Sequence, residues 1–239
     1  MQEAIPAGTL PIQPLEEQPS IEDRVTEALR ELIVGGQLTE GTPLVQRDLA
    51  RRLGVSQTPV RAGLGRLERD GFVVVGPTGR STVSYLTRED FEEIYAARIG
   101  LEGLAARRGA EAVGQREVSR MRVLLAELRS LADRQAVDDY LRLRWEFHAT
   151  CYRASGRRRL VEEVERLFRR SERYNRLVLS TAERFNESVE RYRPVLAACE
   201  ARDGEAAERA VQESIRWGID RVAASLPAEA ELEVEGTAT

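Results

Sequence analysis

Apolar residues between positions 88 and 226 recur at the three- and four-residue spacing of an α-helix and almost nowhere alternate as they do in a strand. Short joints containing glycine or serine interrupt the spacing, as loops of helical bundles do. The pattern therefore predicts an all-helical antiparallel bundle of six helices, over residues 88–112, 115–134, 136–155, 157–180, 182–202 and 203–226.

Two shorter amphipathic stretches come first. Ser20 is a helix-capping residue type with acids in the turn that follows it, and Gly35 and Gly36 end that helix. A second helix then ends at Gly54. The spacing assigns to the buried faces Ile21, Val25, Leu29, Leu32 and Ile33 in the first helix, and Val45, Leu49 and Leu53 in the second.

A third helix begins after Ser56, the expected N-cap, and holds Pro59 in its first turn, where the missing N–H costs nothing. Its apolar stripe, which we expect to face inward, consists of Val60, Leu64 and Leu67. This leaves three polar side chains on the outer side of the helix start, namely Gln57, Thr58 and Arg61. Two helices joined by a short glycine-containing turn predict a helix-turn-helix, whose second helix enters the DNA major groove by its N-terminal end.

Two short strands, over residues 72–75 and 82–85, are predicted around a turn of glycine, proline and threonine. The turn places Gly79 and Arg80 at the tip of a wing. A small residue there permits close approach to a phosphate, and an arginine suits the minor groove.

The segment "GTPLVQRDLARRLGVSQTPVRAGLGRLERDGFVVV" resembles the winged-helix domain of the GntR family of bacterial repressors. The resemblance implies DNA contacts from Arg47, Ser56, Gln57, Thr58 and Arg61, and from the wing around Gly79. Gln57 stands where the family usually has arginine, which exchanges a guanine reader for a side chain suited to adenine. The alternative is a winged helix that binds protein, with its arginines merely solvated.

Two glycines inside the third helix are a second departure from the family pattern. Gly63 and Gly65 both lie in the interior of the third helix, and each costs about 1 kcal/mol relative to alanine. We therefore expect this helix to depend on packing, or on DNA, for its order.

Charge and composition indicate how the chain is divided into domains. Residues 20–88 carry ten arginines and eight acids, a net charge of +2, whereas the whole chain has −4. We expect a disordered arm at 1–19, a winged helix-turn-helix at 20–87, the helical domain at 88–227 and a disordered tail at 228–239. No run approaches the roughly 20 apolar residues of a membrane span. Neither a signal peptide nor a Cys-based zinc site is indicated, so a cytoplasmic location with Cys151 and Cys199 as buried thiols is expected.

The helical half is similar to the FCD domain of the FadR branch of GntR regulators, which senses effectors and dimerises. The likeness rests on "RIGLE" from Arg98, "FH" at Phe147 and His148, and "ARDGEAAERAV" near the C-terminus. Many FCD domains bind a divalent metal through one Asp and three His. The corresponding positions here hold Arg144, His148, Tyr192 and Ser214.

A guanidinium is cationic and has no acceptor, and His148 is the chain's sole histidine, so we predict no metal and no other cofactor. The same side chains with Arg98 would instead suit an anionic effector such as a carboxylate or phosphate. Two alternatives stay open, a neutral or acyl ligand and plain packing without a ligand. In the packing alternative Arg98 pairs with Glu102, and Arg144 pairs with Glu163 or Glu190.

These features predict a transcription regulator that is controlled by an effector and, as in the family it resembles, acts as a repressor. We expect a dimer on a palindromic operator, because a single recognition helix contacts too little DNA for useful specificity. The rivals are an effector-independent DNA binder and an enzyme built on the bundle. The sequence contains no HExxH, P-loop or Ser/His/Asp constellation, so we expect no catalysis.

Overall fold

A computed structural model describes residues 19–134, 136–179, 182–223 and 226–227. The predicted arm and tail lie outside this part of the chain, Pro19 excepted. The described residues form eleven helices and two strands: α1 Ile21–Val34, α2 Gln46–Leu53, α3 Gln57–Arg69, β1 Val73–Val75, β2 Ser81–Val83, α4 Arg88–Ala112, α5 Gln115–Arg134, α6 Val137–Ala154, α7 Arg158–Arg170, α8 Glu172–Val178, α9 Ala182–Glu190, α10 Tyr192–Ala201 and α11 Gly204–Val222. None of the described helices is long and apolar enough to cross a membrane.

The first three helices form a small domain with its own core, to which α1 and α3 contribute most. Ser20 caps α1 through a reciprocal box: its hydroxyl accepts from the Asp23 amide, and the Asp23 carboxylate accepts from the Ser20 amide. Gly54 ends α2 with a left-handed φ of 67°. The third helix buries Val60, Leu64 and Leu67 as predicted.

Two predicted core positions are wrong. Ile21, the first residue of α1, is 56% exposed, and Val25 is the first residue of the stripe to be buried. Val45 is 49% exposed because it is the N-cap of α2, outside the helical period, and the adjacent Leu44 enters the core instead.

The two strands pair antiparallel, with Val74 opposite Thr82. They are shorter than predicted, since pairing ends at Val83 and the chain then turns toward α4. The loop between α1 and α2 lies along the other edge of β2, where Pro43 bridges to Thr82 and the Leu44 amide donates to the Ser81 carbonyl at 2.8 Å. This contact ties the wing to the helix-turn-helix.

The helical domain is the predicted bundle around a second core, with the 25-residue helix α4 packed against α11, α6 and α7. The predicted number of helices is wrong, since eight are found where six were expected. One break falls at Ser171, whose buried hydroxyl donates back to the Phe168 carbonyl at 2.8 Å. The other falls at Arg191, because Pro194 cannot donate to the Glu190 carbonyl and its ring clashes there.

Contacts between the two domains converge on the short helix α8. Arg173 donates to the carbonyl of Ser84 at 2.9 Å and pairs with Glu40 at 3.2 Å. Glu172 on the same helix pairs with Arg30 of α1. This seven-residue helix therefore lies directly against the winged helix-turn-helix.

Candidate nucleic-acid interface and internal cavity

The N-terminal end of α3 is fully open to solvent. Ser56, Gln57 and Thr58 are exposed, and Arg61 follows one turn later on the same exposed side. Ser56 has the extended backbone of an N-cap, but among the described residues its side chain makes no capping hydrogen bond. The first N–H groups of α3 are thus available to a phosphate or a base edge.

The arginines predicted to contact DNA are free of acidic partners within the described residues. Arg47, Arg61 and Arg80 are exposed, and none forms an ion pair with an acid in the described part of the chain. Arg66, by contrast, pairs with Glu22 and Asp23. Arg47, Arg61 and Arg80 belong to α2, α3 and the wing tip, the elements expected to face DNA.

The wing tip is a tight turn in which the Gly79 amide donates to the Gly76 carbonyl at 2.9 Å. Gly79 has φ +74°, and the space around its α-carbon is open. Glycine at this position therefore serves the turn, and Arg80 beside it extends into solvent.

The two helix-interior glycines of α3 have different surroundings. A Cβ on Gly63 would lie 3.1 Å from Thr26 Oγ1 and 3.3 Å from Val25 Cγ1, so this glycine permits α1 to pack closely on α3. Nothing lies within 4 Å of a Cβ on Gly65. Packing thus explains Gly63 but not Gly65.

An internal cavity lies in the helical domain where α4, α6, α8, α9, α10 and α11 meet. It leaves only about 10 Å³ for the centre of a water molecule, close to the space of a single water. Three of the five predicted effector-binding residues line it, Arg144, Tyr192 and Ser214. His148 and Arg98 lie outside its wall, His148 with its ring centroid 5.0 Å from that of Tyr192.

Arg98 forms a buried ion pair with Glu102, Nε to Oε1 at 2.6 Å, with both side chains at most 1% exposed. The other carboxylate oxygen accepts from the Tyr152 hydroxyl at 3.0 Å. Nη1 and Nη2 of Arg98 have no hydrogen-bond partner among the described residues. The predicted i, i+4 pair is therefore confirmed, and Arg98 is a structural cation with unused donors.

Arg144 is also buried, but the described residues give it no acidic partner. The two carboxylates considered for it are engaged elsewhere, Glu163 with Arg166 and Glu190 with Arg129 and Arg193. The packing alternative in that form is wrong. The guanidinium of Arg144 lies over the Phe168 ring instead, and the Arg144 Nε has no hydrogen-bond partner in the described chain. Because Glu102 neutralises Arg98, Arg144 leaves one positive charge in excess.

His148 is held in its neutral form. Burial, followed by the charges of Arg144 and Arg98, keeps the pKa of His148 well below its usual 6.5. One neutral imidazole beside two guanidiniums, a phenol and a hydroxyl is a poor donor set for a divalent metal. No group of three or more His, Cys, Asp or Glu within the described ranges is arranged to bind one.

Several cavity residues were not predicted. Tyr95 donates its hydroxyl to Asn175 Oδ1 at 3.0 Å, and the hydroxyls of Ser188 and Tyr192 are 2.8 Å apart. Trp217 completes the wall. Tyr95 lies three residues before Arg98 and Trp217 three after Ser214, so helical spacing from the predicted residues would have found both.

Comparison with known proteins matches both halves of the chain. The model of the FCD domain matches residues 93–216, and that of the bacterial regulatory proteins, gntR family, matches residues 21–83. The HTH-type transcriptional regulator McbR of Escherichia coli K12 is 27% identical over 199 residues, covering 82% of this chain and 90% of McbR. The HTH-type transcriptional repressor RspR of the same organism is 23% identical over 206 residues, covering 86% and 88%.

Solved structures agree with these matches. The structure of E. coli McbR/YncC superposes with a TM-score of 0.73 at 25% identity, covering 85% of this chain and 97% of that protein. Lar, which controls the expression of the Listeria monocytogenes agr system, has a TM-score of 0.59 at 14% identity, covering 86% and 98%. The second likeness is one of fold.

Proposed function

The chain belongs to the GntR family of bacterial regulatory proteins and carries an FCD domain, and from this membership we propose that it is a cytoplasmic homodimeric repressor controlled by an anionic effector. The membership itself makes it a DNA-binding transcription regulator. The repressor role, the operator contacts, the dimer and the effector are the proposal.

One observation carries the DNA contacts: Arg47, Arg61 and Arg80 are exposed and lack acidic partners among the described residues, whereas Arg51 of α2 and Arg66 of α3 are paired. A cation left unpaired at a surface is available for phosphate or base edges. Arg61 reads a base beside Gln57 and Thr58, while Arg47 and Arg80 bind the backbone and the minor groove.

The dimer is proposed because one DNA-binding domain contacts too few bases to be specific. A single recognition helix contacts too few bases for a useful specificity ratio, and a two-fold protein dimer matches a palindromic operator. Exposed apolar side chains on the helical domain, such as Leu104 and Val123, offer surface for the pairing.

The effector is proposed to be an anion because of Arg144. Its charge is uncompensated, and it borders a cavity whose other polar groups include the hydroxyls of Tyr192 and Ser214 and the amide of Asn175. Pockets for metabolites measure about 300–1,000 Å³, so binding requires the cavity to open. The second candidate, an effector-independent DNA binder, is favoured by the same small volume of about 10 Å³.

Operator binding is tested with DNA selected from a random duplex pool by the wild-type protein. Arg61→Ala is expected to weaken binding by about 1–3 kcal/mol, roughly 5- to 150-fold, at equal salt. Arg47→Ala is expected to weaken binding to all sequences alike. Arg66→Ala is the matched control, because it removes a paired arginine from the same helix. Equal binding by Arg61→Ala and the wild type would contradict the assigned orientation of α3.

Effector binding is tested first by mass spectrometry of the natively purified protein for a small molecule that is released on denaturation. Thermal shifts with sodium phosphate, acetate and benzoate, against sodium chloride at matched ionic strength, then measure the anion preference. Wild type is expected to respond and Arg144→Met is not. No response of the wild type to any anion, with no co-purified molecule, favours the effector-independent binder.

A further inference from the structure

Two cysteines that are 48 residues apart in the sequence meet inside the helical domain. Cys151 of α6 and Cys199 of α10 are both fully buried, and their sulfur atoms are 3.4 Å apart. Sequence spacing gave no sign of this contact, since the residues form no CxxC pattern. The fold alone makes them a pair.

The two sulfur atoms are close enough for a small movement to join them. A bonded S–S distance is about 2.05 Å, so the sulfurs need to approach each other by about 1.3–1.4 Å, the difference from 3.4 Å. Cys151 is held from behind by α4, because a Cβ on Gly109 would lie only 2.2 Å from the Cys151 carbonyl oxygen. Its sulfur lies 3.7 Å from the Ala106 carbonyl. We expect the closing movement to come from side-chain rotation and from α10.

We propose that Cys151 and Cys199 are a reversible oxidative modification site, at which a hydroperoxide drives formation of an intramolecular disulfide. One cysteine sulfur attacks the terminal peroxide oxygen, the O–O bond breaks, and the cysteine becomes a sulfenic acid while water or an alcohol leaves. The second sulfur then attacks the sulfenic sulfur, the S–O bond breaks, and a second water leaves. The two thiols lose two electrons and two protons, and the peroxide is reduced.

The environment makes this site slow rather than catalytic. The adjacent Cys199 thiol and burial raise the pKa of Cys151 well above its usual range, so little thiolate exists at neutral pH, and thiolate is the attacking form. The sulfurs are also shielded from solvent. Oxidation is therefore expected to accelerate as pH rises and to respond to sustained peroxide rather than to brief exposure.

The bond would act on the helices that build the cavity. Cys151 lies one turn after His148 and two turns after Arg144 on α6, and Cys199 lies two turns after Tyr192 on α10. His148 and Tyr192 already make an edge-to-face contact across this boundary. A disulfide fixes α6 to α10 and with them the separation of Arg144 and Tyr192.

The test uses the full-length protein, incubated overnight at pH 8 with hydrogen peroxide and, separately, with oxidised glutathione. The samples are then denatured and alkylated with iodoacetamide. We expect two alkylated thiols before oxidation, none afterwards and two again after dithiothreitol, with the oxidised chain still monomeric on a denaturing gel. Helical circular dichroism is expected to remain unchanged.

Cys199→Ser and Cys151→Ser are the matched controls, each expected to form no intrachain disulfide. Retention of both thiols by the folded wild type under both oxidants overturns the proposal. Disulfides between chains, or oxidation accompanied by loss of helical signal, overturn it as well, because they show that the folded pair does not close.

Discussion

The guanidinium carbon of Arg144 lies 5.2 Å from the centroid of the Phe168 ring, and the described residues supply no carboxylate to it. The guanidinium carbon of Arg98 lies 5.6 Å from the centroid of the same ring and 4.7 Å from that of Tyr95, but Arg98 has Glu102 at 2.6 Å. The interior thus holds one arginine whose charge is neutralised by a carboxylate and one whose charge is not. Truncating each side chain is expected to change stability differently.

Removing the charge of Arg98 is expected to lower the free energy of unfolding far more than removing the charge of Arg144. Arg98→Met leaves the Glu102 carboxylate buried without its cation, at a cost of about 3–5 kcal/mol. Arg144→Met leaves no charge unpaired and relieves a desolvated cation, so the free energy of unfolding should change by less than about 1 kcal/mol, or increase. Urea unfolding followed by circular dichroism measures both. A loss of several kcal/mol in Arg144→Met would assign it to structure instead of ligand binding.

Metal content is expected to be far below one ion per chain. At the four positions where many FCD domains have an aspartate and three histidines, this chain has only His148, with Arg144, Tyr192 and Ser214 at the others. Elemental analysis of protein purified without chelator checks this, with stoichiometric zinc, nickel or manganese as the contrary result. Arg144→Asp is expected not to restore binding, because the phenol and the hydroxyl remain weak ligands.

The winged helix-turn-helix was predictable because each of its signals is local. Ser20 and Asp23 cap one turn, Gly54 ends α2, and the stripe from Val60 to Leu67 follows one helical period. The breaks in the helical domain are less local. Pro194 indicates a helix break, but the apolar periodicity on both sides of it predicted one continuous helix. Ser171 breaks its helix through a hydrogen bond that depends on its burial.

The cavity was only partly predictable for a related reason. The resemblance to the FCD domain identified Arg144, Tyr192 and Ser214, and all three line the cavity. It did not identify Asn175, a residue of α8 that also lines the cavity. Nor did it show that Glu163 and Glu190 face other arginines, since pairing across helices depends on their rotation.

Gly65 is expected to be replaceable with a gain in stability. Gly65→Ala places a methyl group in open space and removes about 1 kcal/mol of helix cost. Gly63→Ala is the matched control, because its methyl group would press on Thr26 and Val25 and offset the gain. Hydrogen exchange of the α3 amides reports the local stability of this domain. Equal protection in the two variants would show that the contact of α3 with α1 adapts freely.

The contact between the domains is expected to depend on pH through Glu172. Burial raises the pKa of this carboxyl to about 7 from 4.5; Arg30 opposes the rise, Glu27 adds to it, and Arg169 opposes it. Although Glu172 pairs with Arg30, its side chain is only 18% exposed, and desolvation outweighs the attraction. A carboxyl with a raised pKa in the folded state stabilises that state fully below about pH 4.5, and this contribution disappears as pH rises through about 7.

Glu172→Gln should therefore match the wild type in stability near pH 5 and exceed it near pH 8. The difference between about 7 and 4.5 corresponds to about 3 kcal/mol as an upper value. Urea unfolding of both proteins across this range measures it, and comparing the two cancels the titration of His148, which they share. Glu163→Gln, an exposed carboxylate on α7, controls for loss of charge alone. If Glu172→Gln is instead the less stable protein at pH 8, the ion pair with Arg30 outweighs the cost of burial and the pKa of Glu172 is not raised.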